Sequence, residues 1–282
     1  MATVVGNLGP RVRWAFAGRS LAPVVGAVER QGRMLPGDPL REGADAPEGA
    51  SAAPYDHANL ADHVGDDPAA VTANRGLLAG AVGLDVAHVV SMAPVHGNDV
   101  ASVAGAAASP VPEVDALVTT VPGLALLVLA ADCVPVVLGD GEAGVVAVVH
   151  AGWRGVLSDV VGTTLEAMAD HGARLDRTRA VVGPAICGSC YDVPRERYDA
   201  VVAVAPEAAA VAADGRPGLD LRAGVVDRLR GAGVTTTLHG GCTVESADLY
   251  SFRRDGVTGR HGGVVTLLPE PVGIAAAGGG AR

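Results

Sequence analysis

Short runs of Val, Ala and Leu divide the chain into segments whose periods predict a mixture of strands and helices. Residues 11–17 alternate polar with apolar positions, as a half-buried strand does. Later apolar runs are continuous, which predicts strands that are buried on both faces. These predicted strands cover residues 86–94, 116–120, 124–130, 134–138, 144–149, 179–183, 234–239 and 263–268.

Helix start and stop signals lie between the predicted strands. Asp66-Asp67-Pro68 gives an acidic first turn with an early proline and predicts a helix that runs toward Gly83. Helices mixed with mostly buried strands predict an α+β fold, with mixed β-sheets in a central layered core flanked by helices. We expect residues 1–282 to form a single domain. The other predicted helices span residues 158–171, 195–211 and 220–232.

Two segments carry no lasting period. Residues 19–54 are rich in Gly, Pro, Ala and acidic side chains, and we predict a long flexible insertion there. Residues 270–282 consist largely of Ala and Gly and are predicted to be a frayed tail.

Charge and composition exclude several classes of protein. The formal net charge of −10, with no compensating Lys/Arg run, argues against a nucleic-acid partner. No apolar run reaches the roughly 18 to 20 residues of a membrane span, and the N-terminus lacks a signal pattern, so we expect a cytoplasmic protein without membrane contact. Four late cysteines make a poor disulfide framework, so reduced thiols or a metal are expected.

Three residues that could ligate a metal each stand at the end of an apolar run: His96, Cys133 and His150. A strand end holds a side chain rigidly at a cleft. Two imidazoles and one thiolate suit zinc, and three protein ligands leave a fourth position for water or substrate. Their spacing matches no local metal motif, so buried packing residues remain the alternative. Asp132 is either a proton carrier beside the thiolate or a strand-end carboxylate.

A series of motifs runs through residues 11–268 in an order that resembles one known family. They are His96-Gly97, Ala131-Asp132-Cys133-Val134-Pro135, His150-Ala-Gly-Trp-Arg-Gly155, Gly183-Pro184-Ala-Ile186 with Tyr191-Asp-Val193, Cys242-Thr243, Ser251-Phe-Arg-Arg-Asp-Gly256 and Thr258-Gly259-Arg260. The family is YfiH, long labelled polyphenol oxidase or laccase-domain protein and associated with purine nucleoside phosphorylase, methylthioadenosine phosphorylase and adenosine deaminase activities. The chain departs from it by the long insertion after Arg19.

The resemblance implies a zinc enzyme whose metal ligands are His96, Cys133 and His150. It implies a purine nucleoside as the small-molecule substrate, adenosine, inosine or methylthioadenosine, cleaved with phosphate. It also implies deamination of adenosine, in which a zinc-bound water is the nucleophile and Asp132 carries a proton.

Other residues near the motifs could contact the substrate. Phosphorolysis needs cations that hold phosphate. Trp153 could stack on a purine or could anchor the packing of its turn. Cys187-Gly-Ser-Cys190 has the spacing of a redox or metal pair, but one such pair alone is a weak signal. The candidate cations are Arg154, Arg253, Arg254 and Arg260.

Three alternative functions remain open from the sequence. The older family label implies a copper-dependent polyphenol oxidase, which ranks below zinc because the chain has eight histidines and no His-x-His pair. A non-catalytic accessory protein with a structural zinc is the second. The third is thiol chemistry, with Cys133 as nucleophile and His150 or His96 as base.

Overall fold

Two six-stranded mixed sheets dominate the structure. The computed structural model describes residues 3–21, 27–30, 33–36, 49–106 and 109–270. Its strands are β1 (Val4–Asn7), β2 (Val12–Ala17), β3 (Ala27–Arg30), β4 (Arg33–Pro36), β5 (Val89–Ala93), β6 (Val100–Ser102), β7 (Val111–Pro112), β8 (Ala116–Thr119), β9 (Ala125–Ala130), β10 (Val134–Asp140), β11 (Val145–Ala151), β12 (Arg179–Val182), β13 (Ala209–Val211), β14 (Pro217–Leu219), β15 (Thr235–Leu238) and β16 (His261–Leu267).

The described helices lie on the outer faces of these sheets and in the loops at their edges. Three of them, α1, α3 and α5, begin with an aspartate whose carboxylate accepts a backbone N–H of the first turn, as Asp67 does for α1. No helix among the described residues is long and apolar enough to cross a membrane. The helices are α1 (Pro68–Ala81), α2 (Trp153–Leu157), α3 (Val160–Asp170), α4 (Arg195–Val204), α5 (Leu221–Gly231) and α6 (Phe252–Asp255).

The strand order is β1-β2-β16-β9-β5-β7 in the first sheet and β15-β12-β10-β11-β8-β6 in the second. One apolar cluster joins their facing sides, with Phe16 and Leu126 from the first sheet and Val137 and Val148 from the second. On the other side of the second sheet, alternate residues of β10 and β11 pack against α3 and α5. The first sheet is covered on its outer side by α1. The layers confirm the α+β prediction of sheets flanked by helices in one domain.

The central strands explain why their sequences read as continuous apolar runs. Every residue of β10 and β11 is buried, because each strand has the first sheet on one side and helices on the other. These two strands pair antiparallel, with Pro135 opposite His150 and Val134 opposite Ala151. The start of β10 and the end of β11 therefore lie side by side at one edge of the core.

Three predictions of local structure differ from the structure, the first at residues 86–88 of the predicted strand 86–94, which form a short 3₁₀ helix. The predicted helix 195–211 is wrong in its second half: α4 ends at Val204 because Pro206 follows, and β13 then pairs with β14. The predicted loop of residues 19–54 contains the antiparallel hairpin of β3 and β4. The rest of that insertion from 22 to 48, and residues 271–282 of the predicted tail, lie outside the described residues.

Candidate metal centre

The structure brings the three predicted ligands together from three separate segments. His96 lies in the loop after β5, Cys133 immediately precedes β10, and His150 is near the end of β11. Their possible ligand atoms all lie within 4.8 Å of one another. The two imidazole rings are 5.0 Å apart between centroids and nearly perpendicular. This group, the His-Cys-His cluster, could hold one metal ion.

A carboxylate that the sequence analysis did not single out organises the cluster. Asp115, directly before β8, is fully buried. Its Oδ1 accepts a hydrogen bond from Nδ1 of His150 at 2.9 Å. The same carboxylate accepts backbone N–H bonds from Val95, His96 and Gly97 at 3.2, 3.0 and 2.7 Å. With Nδ1 engaged in this way, Nε2 of His150 is the ring nitrogen left for a metal.

The backbone is left-handed at the ligand His96 and at Asp132, the neighbour of the ligand Cys133, a conformation that non-glycine residues rarely adopt. The φ angle is 64° at His96 and 104° at Asp132. Each is fixed by hydrogen bonds, at His96 by the Asp115 carboxylate and at Asp132 by bonds to its own side chain. Such residues concentrate at functional sites, where surrounding contacts offset a strain of about 1–3 kcal/mol.

Gly152, between the ligand His150 and helix α2, allows the ligands to approach the backbone. A Cβ atom at this position would lie 2.8 Å from Cδ2 of His96 and 3.3 Å from Sγ of Cys133. Any larger residue would therefore displace a ligand. This close approach explains why the His-Ala-Gly-Trp-Arg-Gly motif has a glycine at position 152.

The electrostatics of the cluster favour the ligand form of the cysteine. Burial opposes ionisation of Cys133, but the positive charge of His150 and hydrogen bonds from both histidines outweigh it and lower the pKa of the thiol. Burial likewise opposes protonation of His150, but the Cys133 thiolate and Asp115 raise the pKa of the imidazole. The thiolate, the form of cysteine that binds metals, is thus stabilised before any ion arrives.

A cavity of about 680 Å³ opens beside the cluster. Its size is within the roughly 300–1,000 Å³ of small-molecule sites. All three cluster residues contribute to its wall, so an ion bound there would face the cavity. Further lining residues include Asp132, Trp153, Arg154, Arg253, Arg260, Tyr191, His63 and Met92.

Three of the four predicted cations line this cavity. The Arg253 guanidinium donates to Oδ1 of Asp192 at 2.6 Å and lies 5.0 Å from the centroid of Tyr191. Arg260 donates to the carbonyl oxygens of two neighbouring residues, and burial lowers the pKa of its guanidinium. Arg154 carries its guanidinium over the ring of Trp153.

The structure does not place Arg254 on the cavity. Its guanidinium pairs with Asp255 and donates to carbonyl oxygens of the loop that precedes α6. Adjacent residues on a short helix point in different directions, so one arginine of the pair lines the cavity and the other holds the loop. The accepting carbonyls belong to Thr243, Val244, Ser246 and Leu249.

Asp132 and Trp153 both lie on the wall and both have structural contacts. The Asp132 carboxylate accepts hydrogen bonds from the Thr243 hydroxyl and from the Arg253 backbone N–H, both at 2.6 Å. The Trp153 ring packs against the core and has the guanidinium carbons of Arg154 and Arg197 each 4.5 Å from its centroid. These contacts do not by themselves show whether Asp132 or Trp153 takes part in a reaction.

Two further histidines lie outside the His-Cys-His cluster but within the core or the cavity wall. His261 is fully buried at the start of β16. Its burial lowers the pKa of the imidazole to about 3. His63 lines the cavity.

A second group of possible ligands lies elsewhere in the fold. Cys187, Cys190, Cys242 and Glu245, the Cys-Glu cluster, also have their ligand atoms within 4.8 Å of one another. The sequence indicated only the Cys-x-x-Cys pair as possible ligands, because Cys242 and Glu245 are distant from it in the chain.

Known proteins resemble this chain over most of its length. A family model described as multi-copper polyphenol oxidoreductase laccase matches residues 45–268. A purine nucleoside phosphorylase of Streptomyces coelicolor is 52% identical over 221 residues, which cover 78% of this chain and 91% of that protein. An adenosine deaminase of an unknown prokaryotic organism is 39% identical over 154 residues, which cover 52% of this chain and 59% of that protein.

Solved structures show the same fold. A Neisseria meningitidis protein superposes with a TM-score of 0.73 at 30% identity, covering 92% of this chain and 95% of its own. The hypothetical protein YfiH of Bacillus licheniformis gives a TM-score of 0.75 at 25% identity, covering 91% and 92%. The chain therefore belongs to the multi-copper polyphenol oxidoreductase laccase family, the laccase-like family of YfiH.

Proposed function

We propose that the protein is a zinc-dependent purine nucleoside phosphorylase acting on adenosine, inosine or methylthioadenosine, with deamination of adenosine as a second reaction. The observation that supports it most directly is the convergence of three metal ligands on a cavity that also carries three arginines. Relatives named purine nucleoside phosphorylase and adenosine deaminase support the substrate class.

The residues of the His-Cys-His cluster fit zinc. Two imidazole nitrogens and a thiolate are zinc donors, and the Asp115 bond to His150 is the outer contact that zinc histidines usually have. When bound, zinc supplies Lewis acidity to an oxygen at its open coordination position. Copper remains the alternative that the family's description suggests, although a multicopper oxidase needs many more histidines than this cluster brings together.

In phosphorolysis a phosphate oxygen attacks C1′ of the ribose while the bond to the purine nitrogen breaks. Arg154, Arg253 and Arg260 are proposed to hold the phosphate and to balance the negative charge near the sugar. Arg253 is oriented by Asp192 and Tyr191, so its guanidinium is already fixed at the wall. Arg254 is proposed to act only on the loop that supports α6. The purine leaves as the base and the sugar as its 1-phosphate.

In deamination water adds to C6 of adenosine and ammonia leaves. Asp132 is proposed to take a proton from the water at its carboxylate and to return it to the departing amine. Its two oxygens each accept one hydrogen bond already, and a carboxylate accepts about four, so acceptor capacity remains. The Thr243 hydroxyl and Arg253 N–H fix the carboxylate for this transfer. Trp153 is proposed to offer an apolar contact to the purine at the same wall.

Product analysis tests the proposal. Protein of measured metal content is incubated with adenosine, with and without phosphate, and the bases and sugars are identified. Adenine that appears only with phosphate means phosphorolysis, and inosine means deamination. If neither product forms while metal-loaded protein oxidises a phenol in air, the proposal is wrong and the copper oxidase alternative is correct.

A further inference from the structure

The Cys-Glu cluster does not belong to the cavity, because none of its four residues is part of the lining. The thiols of Cys187 and Cys190 each lie 3.7 Å from Oε1 of Glu245. Cys242 completes the group, and all four ligand atoms fall within 4.8 Å of one another. The three cysteines are half-buried, whereas Glu245 is exposed and faces them from the solvent side.

The topology of the second sheet brings these residues together. Strands β12 and β15 pair in parallel, so their carboxyl ends meet at one edge of the sheet. The loop after β12 carries Cys187 and Cys190, and the loop after β15 carries Cys242 and Glu245. A further bridge between Ala185 and Cys242 keeps the two loops adjacent. The arrangement is therefore set by the sheet and not by the flexible ends of side chains.

Backbone hydrogen bonds hold the cysteine loops in place, and one of these bonds is accepted by a sulfur atom. The N–H groups of Cys190 and Tyr191 donate to the carbonyl of Cys187 at 3.1 and 3.0 Å, which closes a tight turn between the two cysteines. The N–H of Cys187 donates to Sγ of Cys242 at 3.4 Å. These backbone bonds place the turn of Cys187 and Cys190 against Sγ of Cys242.

A disulfide explains this arrangement less well. All four cysteines of the chain are free in the structure. One disulfide would use two of the three sulfurs and leave a thiol and the Glu245 carboxylate against it. Three sulfur atoms and one carboxylate within 4.8 Å of one another are instead a donor set for a divalent cation, whose binding would displace the thiol protons.

We propose that Cys187, Cys190, Cys242 and Glu245 bind a second metal ion, a structural zinc ion. Three thiolates and one carboxylate complete a tetrahedral site, and soft sulfur ligands select zinc over magnesium or calcium. Four protein ligands leave no position for water or substrate. The second ion would therefore take no part in the reaction.

The ion would fix one wall of the cavity by tying two loops together. Thr243, next to Cys242, donates to the carboxylate of Asp132. Tyr191, next to Cys190, lines the cavity and lies against Arg253. Loss of the second ion is thus expected to lower stability and to raise KM more than it lowers kcat. The proposal itself does not depend on which reaction the protein catalyses.

Metal stoichiometry tests the proposal. Protein purified under reducing conditions is examined by native mass spectrometry and by elemental analysis. Two zinc ions per chain are expected in the wild type, one in Cys133→Ala, one in Cys190→Ser and none in the double variant. One zinc ion in the wild type that persists in Cys190→Ser overturns the proposal, as does a wild-type mass lower by two hydrogens, which would reveal a disulfide.

Cobalt binding provides a second measurement, whose first step needs no variant of the Cys-Glu cluster. Cobalt(II) added to metal-free Cys133→Ala protein is expected to give the intense near-ultraviolet charge-transfer absorption of thiolate ligands, because the remaining thiols all belong to the Cys-Glu cluster. Glu245→Gln in this background should keep the absorption but require more cobalt to saturate it. Absence of the band from folded Cys133→Ala protein overturns the proposal even if Cys190→Ser fails to fold.

Discussion

The His-Cys-His cluster and the Cys-Glu cluster gather their residues in different ways. The first stands at the ends of strands buried in the core, has three possible ligands and opens into a cavity. The second stands on two surface loops, has four possible ligands and lies off the cavity. Three ligands beside a cavity leave a coordination position for a reactant, which suits chemistry. Four ligands away from the cavity leave none, which suits holding two loops together. The following experiments test that separation.

The largest effect is expected from removing the thiolate of the first cluster. Cys133→Ala should lose the ion of the His-Cys-His cluster and reduce phosphorolysis by more than about 100-fold, the upper range for changes to outer contacts of a metal. Cys190→Ser is the matched control, since it removes one thiol from the other cluster and should keep most of the wild-type kcat. Zinc content and initial rates are measured together. A metal-free Cys133→Ala protein with full activity would refute the metal assignment.

The next effect concerns the carboxylate behind the histidines. Asp115→Asn should weaken metal binding at the first cluster by about 10- to 100-fold, because the amide cannot match the acceptor that orients His150 and the 95–97 turn. Competition with a coloured chelator measures the affinity. Binding at the Cys-Glu cluster should not change, and equal weakening at both sites would point to general unfolding instead.

A smaller effect is expected from adding one methyl group beside the first cluster. Gly152→Ala places a Cβ against His96 and Cys133, and overpacking of roughly 1–3 kcal/mol corresponds to about a 5- to 150-fold loss of metal affinity. Gly80→Ala is the control, because that exposed helical glycine has no atom within 4 Å of its new Cβ. It should instead raise stability by about 0.5–1 kcal/mol. Unchanged metal affinity in Gly152→Ala would show that the ligands move freely.

The smallest effect on the metal sites is expected from replacing His261, which changes how the stability of the fold depends on pH. His261 is buried and its pKa is lowered to about 3, whereas an unfolded histidine titrates near 6.5. Between these values the unfolded chain binds the extra proton, so stability falls as the pH falls through this window. His261→Gln should reduce the slope of the unfolding free energy against pH by up to about 1.4 kcal/mol per pH unit. Urea unfolding at several pH values measures this, and identical slopes would contradict it.

The sequence predicts the fold better than it predicts the site. The buried strands were predictable because burial on both faces leaves a continuous apolar run, as in β10 and β11. The end of α4 was missed because alanine-rich residues continue past Pro206. Short edge strands such as β6 and β7 carry too few residues to show a period.

The site was predictable only where a motif marked it. Spacing alone left His96, Cys133 and His150 open, and the family resemblance selected them. Asp115 was missed because its partner His150 is 35 residues away and no local pattern joins them. Cys242 and Glu245 were missed as partners of Cys187 because the parallel pairing of β12 and β15, which brings them together, is a property of the sheet.

The single carboxylate of Asp115 also links the two histidines of the first cluster to each other. It accepts hydrogen bonds from the ring of His150 and from the backbone N–H of His96. Asp115 itself belongs to the segment that leads into β8. Loosening of this one carboxylate would therefore free both histidines at once. Exchange of an ion bound there should follow the rare opening of the segment before β8, so the ion should leave slowly even where its equilibrium affinity is modest.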